Sequence, residues 1–176
     1  MEHKIIFTGP VGAGKTTAIS AISDIPVVKT DASASDEVAL RKSNTTVAMD
    51  YGQLHLSDSS KMHLYGTPGQ ERFSFMWDIL TIGGLGLVLM IDNAREDPLA
   101  DIEFFLDAFK NFIEKNAVVI GVSRMDLSPR PGLYTHKKKL EELGYNLPIY
   151  EVDAREKKDI KILLLSLLAV LDPAVN

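Results

Sequence analysis

GPVGAGKTT, residues 9–17, follows the apolar run HKIIFT and precedes AISAIS, and the reading of this stretch decides the fold. Gly9-x-x-x-x-Gly14-Lys15-Thr16 satisfies the phosphate-loop pattern after a strand and at the start of a helix, which is the context the pattern requires. Glycines let backbone amides turn inward around an anion, and the helix N-terminus adds a favourable dipole. Lys15 would reach β and γ phosphates, and Thr16 would offer its hydroxyl to Mg2+. Val11, Gly12, Ala13 and Thr17 complete the cradle. The pattern alone names neither base nor reaction, because kinases, ATPases and GTPases share it.

Outward from this loop, short β-rich apolar runs alternate with longer helical patterns, the signature of a parallel sheet covered by helices on both faces. Strands are expected at His3 to Thr8, Thr46 to Leu56, Lys61 to Tyr65, Gly86 to Asp92, Ala117 to Val122 and Pro148 to Val152. Helices are expected at Lys15 to Ile22, Pro98 to Lys115, Leu133 to Leu143 and Glu156 to Leu171. QLHLSDSSKMHLYG places two alternating segments around Asp58-Ser59-Ser60 and predicts a hairpin, so the sheet is mixed with one antiparallel edge strand. From Asp24 to Asn44 the chain is polar and aperiodic, and long loops of that kind tend to be functional.

The bulk composition narrows the partners. A chain of 176 residues, 45% hydrophobic, has the length of one domain, residues 1–176, with a proper core. The formal charge of -5 argues against a nucleic-acid binder. The absence of cysteine excludes disulfides and thiolate metal sites, and the start MEHKIIFTG carries no secretion signal, so a reducing cytoplasm is the expected compartment. The run Ile162 to Leu171 is too short to span a bilayer, which argues against stable membrane insertion and for a helix packed on the sheet.

HLYGTPGQERF, His63 to Phe73, resembles the second switch of Ras-like small GTPases. The order of the other segments is similar too. Thr46 to Tyr51 resembles the first switch and its strand, Leu87 to Asp92 the next core strand, Ser123-Arg124-Met125-Asp126 the guanine-reading loop, and Val152-Asp153-Ala154-Arg155 the last base-contacting loop. The resemblance implies a P-loop NTPase small G domain: an α/β fold with a six-stranded, mostly parallel mixed sheet. It also implies GTP and GDP as substrate and product, Mg2+, slow hydrolysis, and switch loops near 25–46 and 66–82. A regulator or effector would read those loops, and the protein would be a monomer or weak dimer. Asp126 would accept hydrogen bonds from guanine N1–H and its exocyclic amine; Ala154 would offer its N–H to O6, with Arg155 beside it; the stem of Arg124 would stack on the base. Gly69 would give an amide to the γ-phosphate, Gln70 would orient the attacking water, and Thr46, or Thr45 beside it, would bring a second hydroxyl to Mg2+.

Three departures qualify the resemblance. Gly66 stands where an acidic residue supports Mg2+, and with Thr67-Pro68-Gly69-Gln70 it points to the Mgl-type gliding-motility and cell-polarity branch. Asp50 on the neighbouring strand is either a substitute for that acid or a surface carboxylate. Val11 crowds the space near Gln70 and predicts weak intrinsic hydrolysis, while Ser123 replaces the Asn that ties the base loop to the phosphate loop. Trp77, Phe75, Met76 and Phe73 read either as core or as a partner surface, and His136 to Lys139 as a solvated helix face. Arg41 and Arg72 are candidate charges near the γ-phosphate. Two rivals stay open: a nucleotide-binding module without turnover, and a small P-loop kinase, which the scarcity of arginine after Asp126 disfavours.

Overall fold

The fold was analysed in a computed structural model that describes residues 2–33, 46–57, 59–71 and 74–171, without the side chains of residues 30–33 and 46–48. The elements run β1 (Glu2–Thr8), α1 (Lys15–Ile22), β2 (Val28–Ser33), β3 (Thr46–Ser57), β4 (Ser60–Gly66), α2 (Phe75–Thr81) and β5 (Gly86–Asp92). They continue with α3 (Pro98–Ala108), α4 (Lys110–Ile113), β6 (Ala117–Ser123), α5 (Leu133–Glu142), β7 (Ile149–Glu151) and α6 (Lys157–Leu171). One sheet holds the seven strands in the order β2-β3-β4-β1-β5-β6-β7.

β4, β1, β5, β6 and β7 run parallel, while β3 is antiparallel to both β4 and β2. Parallel strands are buried on both faces, and β5 and β6 are buried at every residue. Successive side chains point to opposite sides, which divides the core. Ile5, Phe7, Val88 and Met90 pack beneath α1 and α6 with Ile19, Leu163 and Leu167. Ile6, Leu87, Leu89 and Ile91 face α2, α3 and α5 with Trp77, Ile102, Phe105 and Leu140.

The sheet therefore has seven strands, not the six expected, and β3 alone runs against its two neighbours. The added strand is β2, VKTDAS, inside the segment read as aperiodic loop. It lies at the edge and pairs only with β3, from Val28↔Tyr51 to Ser33↔Thr46, so it needs no buried apolar alternation. The hairpin forms as expected, with Ser57 opposite Ser60 across a two-residue connection. The long helix Pro98 to Lys115 is interrupted at Phe109, whose φ of -100° and ψ of 12° end α3 and start the short α4. α2, not anticipated, is anchored by Trp77. Its ring is 3% exposed and lies 5.3 Å from both Phe105 and Phe109. Of the two readings of Trp77 the core one holds, whereas Phe75 remains half exposed. On α5, Lys137 and Lys138 face solvent and Lys139 bonds Glu103 at 2.5 Å, but His136 turns inward and is fully buried. Among the described residues no helix is long and apolar enough to cross a membrane.

Candidate functional site

β1 lies between β4 and β5: the chain leaves β1 through α1 toward β2 on one side and crosses from β4 through α2 to β5 on the other, and at such a point the rim beyond the strands' carboxyl ends opens into a crevice. The 9–17 loop sits there. Gly9 and Gly14 have φ of 141° and 94°, a region that side chains other than glycine rarely enter. A Cβ on Gly9 would run into the carbonyl oxygen of Met90, and one on Gly14 would stand 2.8 Å from the Ala154 Cβ. Gly14 caps α1, whose first amides have no partner within the helix and face the rim.

Lys15 is 8% exposed and donates to the carbonyl oxygens of Gly9 and Pro10, each at 2.7 Å. Burial lowers its pKa from 10.5 to about 8; the nearby Asp50 carboxylate opposes that shift and Arg95 adds to it. Thr16 donates its hydroxyl proton to Asp50 Oδ2. Asp50 is half-buried on β3, which β2 and β4 flank, so it is not on an edge strand.

Residues 66–70, which the sequence likens to a second switch, pack against this loop. Thr67 is buried; its N–H donates to Phe7 O at 2.9 Å and its hydroxyl to Thr8 Oγ1 at 2.8 Å. Trp77 Nε1 donates to Pro68 O at 2.9 Å, which links α2 to the segment. Gly69 approaches so closely that a Cβ there would lie 2.6 Å from Val11 N and 2.8 Å from Lys15 Nζ. Gln70 and Val11 are exposed beside it. The backbone of Thr46 opens β3, but its side chain, residues 34–45 with Arg41 and Thr45, and Arg72 and Phe73 lie outside the described residues.

At the other end of the rim, a cavity of about 270 Å3 is lined by Ala13, Gly14 and Thr17, by Ser123, Arg124, Asp126 and Leu127, and by Asp153, Ala154 and Arg155. Three segments far apart in sequence thus meet as the sequence expects. Ser123 is buried, and its hydroxyl lies 3.0 Å from Ala13 O and 3.2 Å from Ile91 O, so one short side chain bridges the base-loop strand and the phosphate loop. Asp126 is exposed at the cavity. Arg124, whose stem the resemblance would lay on the base, has its guanidinium held at the phosphate loop. Its backbone has φ 59°, its Nη2 donates to Gly12 O at 2.8 Å, and its Nη1 lies 3.2 Å from Asp92. The buried Asp92, missed by sequence reasoning, holds that guanidinium; its place at the end of β5 was the available signal. Arg155 grips Asp153 through Nε at 2.9 Å and Nη2 at 2.7 Å. Those bonds and the Arg155 N–H hold the Asp153 carboxyl down at about 2. Another cavity, of about 310 Å3 against α5 and β7, is lined by Leu140, Tyr145 and Leu147 among others and gathers none of these groups.

Sheet order, phosphate loop and rim define a Ras-like P-loop fold, and distant likenesses to Ras-related proteins agree with it. Ras-related protein RABA1c of Arabidopsis thaliana is 23% identical over 162 residues, 90% of this chain and 69% of its own. Intraflagellar transport protein 22 of Chlamydomonas reinhardtii is 26% identical over 117 residues, 65% of this chain and 56% of its own. An uncharacterised protein of Methanocaldococcus jannaschii is 33% identical over 95 residues, 54% of this chain and 53% of its own. The chain thus spans about half of the archaeal relative's length. It belongs to the family described as conserved hypothetical ATP binding protein, whose profile matches residues 27–172.

Proposed function

We propose that this protein is a guanine-nucleotide switch that hydrolyses GTP slowly to GDP and phosphate, with the loops near 25–46 and 66–82 altering partner binding according to the nucleotide held. The observation that carries the reading is the single rim on which Lys15 and the amides of α1 stand at one end and the Asp126 carboxylate and Ala154 backbone at the other. A nucleotide's phosphates and base need those two ends. An exposed carboxylate accepts from guanine N1–H and its amine, whereas adenine presents an acceptor at N1, and a polar site left unpaired rejects its ligand strongly.

In hydrolysis a water attacks the γ-phosphorus, the bond to the bridging oxygen breaks, and its electron pair stays on GDP. Gln70 orients the water. The Lys15 ammonium and the loop amides hold the charged oxygens. The Thr16 hydroxyl beside the Asp50 carboxylate is an oxygen donor set suited to Mg2+, with Thr46 as the second hydroxyl proposed from sequence. When bound, Mg2+ neutralises charge on the β and γ oxygens. The backbone of Val11 lies against Gly69; its exposed side chain, which the sequence reading sets near the attacking water, is the group proposed to slow turnover and make a stimulating partner protein useful. Within the Ras-like class, Gly66 and Thr67-Pro68-Gly69-Gln70 favour the Mgl-type branch.

Two other readings have support. The family's printed description favours ATP, and the crowding by Val11 favours binding without turnover, which phosphate release under excess enzyme would separate from hydrolysis. The test of the guanine reading is Asp126→Asn. It should weaken GDP by on the order of tenfold or more and strengthen xanthosine diphosphate, since loss of a charged acceptor costs about 1.5–3 kcal/mol. Unchanged guanine affinity would count against it.

A further inference from the structure

We infer that Asp50 on β3 is the carboxylate that supports the magnesium shell of the phosphate site, acting from across the β3–β4 pair at the level where β4 ends on Gly66. This deepens the nucleotide reading of the rim and rests on it.

A P-loop site holds its cation with the loop hydroxyl and an acidic side chain. Among the described residues, three rim positions are weighed for the acidic role. β4 ends at Gly66, which has no side chain to offer. Asp92, ending β5, is 3% exposed; its Oδ1 accepts from Ala94 N at 2.9 Å, and the Arg124 guanidinium lies 3.2 Å from its Oδ2. It is occupied in fixing Arg124. Asp50 remains.

Its placement is specific. Asp50 is the direct cross-strand partner of Gly66, and a Cβ built on Gly66 would stand 3.1 Å from the Asp50 Cβ and 3.2 Å from its Oδ2. The Asp50 side chain therefore fills the space that a residue at 66 would use. Lys29 is its cross-strand neighbour on the other side, yet the carboxylate turns to the Thr16 hydroxyl. A hydroxyl has one proton and two lone pairs. With that proton donated in a hydrogen bond to Asp50 Oδ2, the Thr16 lone pairs are left for a hard cation, and Asp50 Oδ1 is left to accept from a metal-bound water.

The experiment uses Mn2+ as a paramagnetic probe, titrated into parent and Asp50→Asn protein loaded with GDP, or with ADP if the parent prefers it, and followed by electron paramagnetic resonance. Nucleotide affinity is measured in parallel in EDTA. Asp50→Asn should weaken Mn2+ by about 10- to 100-fold, the range for losing an outer-shell partner, without weakening metal-free nucleotide. The double variant Asp50→Gly/Gly66→Asp, which returns a carboxylate to β4, should recover most of the metal affinity. Mn2+ affinity within about twofold of the parent would overturn the assignment, as would an equal loss of nucleotide with and without metal, since outer-shell loss acts through the metal. A parent that takes ADP over GDP overturns only the guanine reading, and the same Mn2+ ratio still decides Asp50. A parent that binds neither nucleotide overturns both.

Discussion

Raising the pH should stabilise the nucleotide-free protein, and Lys15 is the reason. Its amine is 8% exposed, and burial, opposed by Asp50 and reinforced by Arg95, holds it at about 8 instead of 10.5. A lysine with a depressed folded pKa binds fewer protons folded than unfolded between those two values, so stability rises as pH climbs through that window. Below it the buried ammonium costs about 3 kcal/mol, at about 1.4 kcal/mol per pH unit of displacement. Between about pH 7 and about pH 9.5, about 2 kcal/mol of that cost is relieved. Urea unfolding of the parent beside Lys15→Met measures it, because the other titrating groups are common to both and cancel in the difference. The parent should gain about 2 kcal/mol on the variant over that range. Bound phosphate reverses the balance by favouring the ammonium, so nucleotide binding above about pH 8 should take up about one proton, visible as a dependence of binding heat on buffer ionisation. Parallel pH profiles for parent and Lys15→Met would refute the reasoning.

Two other perturbations test the packing of residues 66–70 against the phosphate loop. Val11→Gly should speed single-turnover GTP hydrolysis by about tenfold, given that misplacement by about 1 Å can cost on the order of 100-fold; a variant no faster than the parent removes crowding as the cause of slowness. Trp77→Phe keeps a ring beside Phe105 and Phe109 but strips the buried Pro68 carbonyl of its donor. It should cost about 1–3 kcal/mol in urea unfolding, against about 3–5 kcal/mol for Trp77→Ala.

The parts of the fold that sequence made visible are those with one strong physical signal. β5 and β6 are unbroken apolar runs because helices cover both their faces, and α1 begins where the glycine pattern says it must. β2 gave no such signal, since VKTDAS at an edge needs only backbone pairing. α2 sits in a segment whose short length and mixed polarity hid it, although Trp77 was the clue to what it buries. In the candidate site the meeting of segments was legible: the glycine pattern fixed where the phosphate loop lies, and chain order brought Ser123 and Asp126 to the same rim. The site was illegible wherever tertiary pairing redirected a side chain. Arg124 reaches the phosphate loop because Asp92 and Gly12 O draw its head there, and Asp50, which sequence left between a substitute acid and a surface carboxylate, reaches Thr16 because β3 places it opposite Gly66. No period or spacing encodes either partnership.

Titration calorimetry of the purified protein with GTP, GDP, ATP and ADP in the presence of magnesium addresses the base-reading rim directly. Guanine nucleotides should bind at micromolar or tighter concentration, and adenine nucleotides at least about 100-fold more weakly. ATP bound as tightly as GTP, or no nucleotide bound at all, would contradict the account.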